Sequence, residues 1–339
     1  ELAASMSVTV IRPGLASTFQ DTGRHGFQHL GMPVCGAMDL RAHQLANLIA
    51  GNERDLATLE VTLMGPTLRF DAPACIALAG ADLSPTVNGT PVPIGRPLVL
   101  RAGDVLAFGA RRSGVRCYIA WHGGIALPHV LGSQSTYLRG RLGGYHGRAL
   151  QKDDVLPLNV PLDEAAHASL ADDLQKMAIY LSAPLAYNPR RRLRVMRGPQ
   201  TGLFTDEALH TLFNSEFRIA NESDRMGYRL AGPALNVREN RQLLSEGATF
   251  GTIQVPADGQ PIVLMADRQS IGGYPKIGHV ASVDLSQLAQ YMPGETVRFE
   301  EIELAQAQQL DNLREQALAS LAASLAPMRE RIARSVRAS

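Results

Sequence analysis

Apolar positions along the chain fall mostly in short runs cut by Gly, Pro and Asp, the signature of strands joined by tight turns. The runs are Val8–Ile11, Thr58–Met64, Cys75–Ala81, Leu98–Arg101, Val105–Phe108 and Arg116–Trp121, and later Leu193–Met196, Thr252–Val255, Ile262–Ala266 and Thr296–Phe299. Helical spacing is confined to a few places. Asp39–Ala50 starts on an Asp in N-cap position and stops at Gly51; Thr205–Phe213 and Asp284–Met292 are similar, the latter ended by Pro293. Leu162–Met177 reads as a polar amphipathic helix. Glu303–Leu325 carries Leu310, Leu313, Ala317, Leu321 and Leu325 at spacings of three and four, one apolar helical stripe. Beyond Pro327 the arginines up to Arg337 read as a solvated or frayed end.

Glycine use divides the chain. It is frequent to Gly147, absent from Arg148 to Arg197, frequent again to Gly294, and then absent. The two glycine-rich blocks echo each other. Arg12, Phe19 and Asp21 recur as Arg197, Phe204 and Asp206; Gly65-Pro66-x-Leu68 recurs as Gly232-Pro233-x-Leu235; Ala102–Phe108 resembles Pro293–Phe299. Three matches in the same order suggest a duplication, with chance coincidence as the competitor. The fold class expected is mainly β: two tandem β-barrel-like halves, a few helices and a C-terminal helix, since closure deals with the exposed edges of many short strands. The halves run over 8–157 and 193–300, with a helix-containing linker at 158–192 and a C-terminal helix and tail at 301–339.

Composition adds mainly exclusions. Lys+Arg 33 against Asp+Glu 32 gives a net charge of +1, so nothing in the bulk charge draws the chain to nucleic acid or an anionic membrane. Cys35, Cys75 and Cys117 are widely spaced and form no CxxC, which fits a reducing, cytoplasmic setting. The first residues carry no charged start followed by an apolar core, so no signal peptide is expected, and Glu1–Ser7 reads as a trimmed or added end. No apolar run reaches the length of a membrane span. A phosphate-binding GxxxxGK loop, a GxGxxG helix start, HExxH and a GxSxG elbow are all missing, and His25 and His29 are separated by a glycine that argues against a metal-binding helix. No metal site is expected from the residues.

Four polar, turn-rich clusters remain. The first, Thr18–Gly26 with Gly36-Ala37-Met38-Asp39, reads either as an Asx-turn at Asp21 with Gly23 at positive φ, or as a rigid loop presenting Asp21 and Arg24. The second holds seven glycines between 123 and 147 around Gly132-Ser133-Gln134-Ser135-Thr136. A surface hairpin is the favoured reading there, an anion cradle the other. In the third, Ser223–Leu230, an extended backbone would put Arg225 and Arg229 on one face of Gly227, able to grip a carboxylate or phosphate; an exposed basic edge is equally open. The fourth is the richest. Gly251–Pro256 is followed by a buried strand Ile262–Ala266 that delivers Asp267 and Gln269 at its end, and by Tyr274-Pro275-Lys276, which holds one of only three lysines on a short leash.

At these clusters the chain resembles a known family. TFQDTGRHGFQHLGMPVCGAMDLRAHQLANLIAGN, LGSQSTYLRGRLGGYHGRAL, SDRMGYRL and GTIQVPADGQPIVLMADRQSIGGYPKIGHV, in that order, resemble the biotin-dependent carboxyltransferase-like family, also labelled allophanate hydrolase subunit 2. The resemblance runs from about Val8 to Phe299 and implies a tandem cyclophilin-like β-barrel architecture. It is nearest the branch of the 5-oxoprolinase C subunit, which includes the antagonist of a sporulation-kinase inhibitor. It implies ATP-dependent opening of 5-oxo-L-proline, with Mg expected beside ATP, jointly with two partners: a homologous B subunit, and an A subunit that completes ring opening. A homo-oligomer also stays open. The alternatives are the carboxyltransferase half of a urea carboxylase, which would need biotin on a separate carrier because no AMKM-like biotinyl site occurs here, and a regulatory binding protein. Phosphorylating an unstrained lactam needs cations for phosphate and carboxylate, a role that suits Arg24, Arg225 and Lys276. It also needs orienting carboxylates, Asp21 and Asp267, and amide-recognising groups, Gln20 and Gln254, with Arg229 and Tyr274 as further substrate contacts. Cys35 stands where the family usually has serine, and Gln134 where it usually has arginine, which removes an anion contact from that loop.

Overall fold

A computed structural model describes residues 6–336. The protein is mainly β and divides into two compact units. The first comprises Glu1–Gly23, Asp39–Ala183 and Ala317–Ser339, and the second comprises Arg24–Met38 and Pro184–Gln316.

In the first unit the strands build two sheets. One has six strands in the order Val155–Pro157, Ser7–Arg12, Thr67–Phe70, Val105–Ala107, Thr86–Val87, Thr90–Pro91; the other has five, Ala16–Gln20, Thr58–Thr62, Ser113–Trp121, Ala74–Asp82, Pro97–Leu100. Strand alternation sends Phe19, Leu59, Val61, Cys117 and Ile119 into an apolar core shared with Val8, Val10, Leu68 and Phe70. The opposite face of the five-stranded sheet is polar yet buried: Thr18, Gln20, Thr58, Glu60, Arg116 and Tyr118 are all nearly inaccessible. The helix Leu40–Ile49 packs on this sheet, capped as expected by Asp39, whose side chain accepts from Ala42 N.

The second unit is a closed barrel of the strands Leu193–Arg197, Lys276–Val280, Thr252–Gln254, Ile262–Leu264, Gly227–Ala231, Glu216–Ile219 and Thr296–Glu301. The parallel pairing of Leu193 with Phe299 closes the ring. Val195, Phe217, Tyr228, Ile253, Val263, Ile277 and Phe299 fill its interior. Outside it lies a two-stranded ribbon, Glu246–Gly247 with Ile271–Gly272. Gly103 and Gly294, at matching places in the two echoing segments, share a φ of +92°, and Phe19 and Phe204 are buried in the two respective cores.

Three expectations change. The linker helix begins only at His167, after a short 3-10 turn at Glu164–Ala166. The stripe of the long helix Leu304–Ser324 holds in part: Leu321 and Leu325 are buried as expected, but Leu313 is 45% exposed, and Ala307 and Leu318, outside the expected stripe, are buried. The tail up to Val336 is not frayed. Pro327 lies in the first turn of a second helix, Ala326–Ala333, where its missing N–H costs nothing. Met328 and Ile332 are buried, and Arg329 and Arg331 pair with Glu53 and Asp173. Arg337 and residues 1–5 lie outside the described residues. No helix among those described is long and apolar enough to cross a membrane.

Candidate functional site

Barrel register brings three of the expected site residues into one row. Arg229 pairs with Ile262, Ile262 with Gln254, and Gln254 with Lys276 across four adjacent strands, with a bulge at the last step. Their chain neighbours Tyr228, Val263, Ile253 and Ile277 point into the barrel core, so alternation turns this row outward. There Arg229, Ile262 and Gln254, but not Lys276, border a groove of about 580 Å³, floored by Ile262 and Leu264, with Gln269 and Tyr274 at its edge. Tyr274, Pro256 and Gly273 also line a neighbouring hollow of about 480 Å³.

Two groups in the groove have unused hydrogen-bonding capacity. Gln254 Oε1 is buried and accepts no hydrogen bond, a state that costs free energy until a donor arrives. The Arg229 guanidinium forms no ion pair or hydrogen bond among the described residues; only its backbone is engaged, its N donating to Ser223 Oγ at 3.0 Å and its O accepting from Ala220 N at 2.8 Å. Room for the Gln254 amide depends on Gly272, where a Cβ would come within 3.1 Å of Oε1. Lys276 is buried beneath the ribbon and loosely held, its Nζ 3.5 Å from Gly272 O and 3.7 Å from a Glu246 carboxylate oxygen.

Arg225 and Asp267 form a separate arrangement. Arg225 precedes the strand Gly227–Ala231 and sits in a turn rather than beside Arg229 on an extended face. Its guanidinium grips Asp267 with two bonds of 3.0 and 2.9 Å and donates a third of 2.6 Å to Gly36 O. That ties the segment Arg24–Met38 to the barrel. Next to Gly36, Cys35 has a φ of 59°, and burial together with the neighbouring Asp267 carboxylate pushes its thiol pKa far up, so it is no thiolate nucleophile. Arg24 is fully buried in the same segment.

Gln20 and Asp21 belong to the first unit. Asp21 Oδ1 accepts from Gly23 N, Ser133 Oγ and Ser135 Oγ at 2.9, 2.7 and 2.6 Å, and Oδ2 accepts from Gln134 N at 2.7 Å. The Asx-turn is present, and the loop Ser133–Thr136 is buried instead of forming a surface hairpin. Gln134 donates to Leu127 O. Gln20 Nε2 donates to Thr18 Oγ1, and its Oε1 has no partner.

Residue-level reading missed His43. It is wholly buried, with Nδ1 2.8 Å from Thr58 Oγ1 and no hydrogen bond at Nε2. Burial lowers its pKa to about 4 against the pull of Asp21 and Glu60. Beside it Tyr118 donates to Glu60 and accepts from Asp39 N. The only available signal was a histidine on the inner side of a capped helix, which does not distinguish it from a core residue.

Residues 30–301 match the family model described as "Carboxyltransferase domain, subdomain A and B". The chain is 37% identical to the C subunit of 5-oxoprolinase from Escherichia coli over 298 residues, 88% of this chain and 92% of that protein. It is 32% identical to urea amidolyase of Lachancea kluyveri over 329 residues, 92% of this chain but 18% of that protein. The crystal structure of the K. lactis urea amidolyase superposes with a TM-score of 0.84 at 29% identity, over 94% of this chain and 20% of that one. The chain belongs to the carboxyltransferase family of subdomains A and B.

Proposed function

We propose that the chain is the C subunit of an ATP-dependent 5-oxoprolinase, and that its groove holds 5-oxo-L-proline for conversion to L-glutamate in a complex with the B and A subunits. The match across nearly the whole Escherichia coli protein supports the reading. The observation that carries it is the row Arg229–Ile262–Gln254. The substrate offers a carboxylate, a lactam N–H and an apolar ring edge. Arg229 supplies a free guanidinium for the first, Gln254 Oε1 an unfilled acceptor for the second, and Ile262 with Leu264 a floor for the third.

An unstrained lactam resists water at neutral pH. Transfer of the γ-phosphoryl group of ATP to the lactam oxygen forms an O–P bond and releases ADP. Water then adds at the activated carbon and the C–N bond breaks, leaving an acyl phosphate on the opened chain; a second water hydrolyses it to glutamate and inorganic phosphate. Lys276, buried at the end of the row with its Nζ by Gly272 O and Glu246, is assigned a positive charge behind the groove and not a substrate contact. Glu222, Asp224 and Asp258 also border the groove and repel a triphosphate, so the nucleotide is assigned to one of the partners. Magnesium is assigned to the nucleotide, since that ion is ordinarily held by phosphate oxygens with one or two carboxylates. Asp267 and Arg225 act as positioning residues through Gly36, with Arg24 of the same segment assigned to that role; Asp21 and Gln20, in the first unit, are assigned to the stability of their own buried loop.

A second reading, the carboxyltransferase half of a urea-carboxylating system with biotin on a separate carrier, draws on the urea amidolyase superposition. Urea also has N–H groups for Gln254, but it has no carboxylate for Arg229. The test is reconstitution with the A and B subunits. ATP-dependent glutamate release from 5-oxoproline is expected. Its absence, alongside urea-dependent ATP hydrolysis with a biotin carrier, would transfer the assignment to the second reading.

A further inference from the structure

Another concavity in the second unit has no part in this chemistry. It measures about 850 Å³ and is lined by Arg190, Arg191, Arg192 and Arg298 with Glu216 and Glu300. Four guanidinium groups face two carboxylates. The carboxylates leave most donors unused: Arg190 reaches Glu300 through Nη2 alone, and Arg298 reaches Glu216 through Nε alone. Arg192 gives Nη1 to Phe213 O at the end of the helix Asp206–Asn214, and Arg191 makes no hydrogen bond or ion pair among the described residues. Each guanidinium has five N–H donors in a planar fork. The two carboxylates and the carbonyl therefore fix three of the forks in place while leaving their outer edges, and all of Arg191, turned to solvent.

Position separates this basin from the substrate groove. The groove is centred on the strand Ile262–Leu264, the basin on Thr296–Glu301. Around the closed ring these strands are three steps apart in one direction and four in the other. A phosphate bound here cannot reach the groove.

We infer that this basin is a second binding site, for a small multiply charged phosphate-bearing anion. Fixed planar forks match phosphate oxygens in pairs, the lining is polar where an apolar ligand would need hydrocarbon, and the concavity has the size of a small-molecule site rather than a flat protein interface.

The test is calorimetric titration of the full chain with inorganic triphosphate, using citrate as a polycarboxylate of similar charge. Saturable triphosphate binding is expected, weakening with added salt. Arg191→Ala, which removes no hydrogen bond or ion pair among the described residues, should weaken it about tenfold. Arg298→Ala should weaken it as well, and Arg229→Ala in the groove should leave it unchanged. The inference is overturned by any of four results: no saturable triphosphate binding, equal binding by wild type and both basin variants, loss of binding in Arg229→Ala, or citrate binding as tightly as triphosphate.

Discussion

Arg229 and Gln254 flank the same residue: each is the register partner of Ile262, from opposite sides of the strand Ile262–Leu264. Neighbouring strands lie about 4.8 Å apart, so the two backbones are about 10 Å from each other, a span that suits one small ligand between a guanidinium and an amide oxygen.

Gln254→Leu removes the acceptor while keeping the side-chain volume. We expect KM for 5-oxoproline to rise about tenfold, the worth of one hydrogen bond to a buried partner. Because the oxygen is unsatisfied without ligand, the thermal midpoint of the free chain should hold or rise. Steady-state kinetics beside a melting curve checks both halves.

Gly272→Ala tests the same contact from the other side. Its methyl group would stand 3.1 Å from Gln254 Oε1, tight enough to displace the amide. Substrate affinity should fall with secondary structure intact, as read by circular dichroism and titration. A variant that binds as wild type does would mean the oxygen faces elsewhere.

Asp21→Asn should act on stability and leave KM for 5-oxoproline unchanged. The carboxylate accepts from two hydroxyls and two backbone N–H groups, and an amide presents one acceptor where the carboxylate presents two. A loss of about 2–4 kcal/mol is expected, given charge-assisted bonds inside a buried loop. Urea denaturation measures it.

This clamp also shows where sequence reading reaches and where it stops. The Asx-turn at Asp21 is local, and the spacing to Gly23 announces it. The bonds to Ser133 and Ser135 cross 112 and 114 residues, and no local pattern carries them. Gln254, Arg229 and Tyr274 could be singled out because polar residues stood in turn-rich strands with no packing reason. Their common row depends on barrel pairing between separate segments. The helix after Pro327 was hidden because proline reads as a breaker unless the helix is known to start there. The buried polar face of Thr18, Gln20, Thr58 and Glu60 was hidden because alternation of polar and apolar residues ordinarily marks the solvent side.

His43 makes stability depend on acid. Its folded pKa, about 4, lies below the ordinary histidine value of about 6.5. Above the ordinary value both states are neutral and nothing is lost. As pH falls from there through 4 the unfolded chain takes up a proton that the folded chain refuses, and stability declines, by on the order of 3 kcal/mol in full. Burial lowers His122 and His279 as well, adding slope of the same sign. His43→Gln should flatten the decline between pH 7 and pH 5 in urea denaturation; an unchanged slope would mean that His43 is solvated.

The most direct test of the substrate assignment is ATP-dependent glutamate release by the reconstituted complex of all three subunits, carrying Arg229→Ala. With the carboxylate partner gone, KM for 5-oxoproline should rise about thirtyfold, the cost of roughly 2 kcal/mol of charge-assisted hydrogen bonding. A complex that turns over 5-oxoproline with wild-type KM would place the substrate outside the groove and contradict the account.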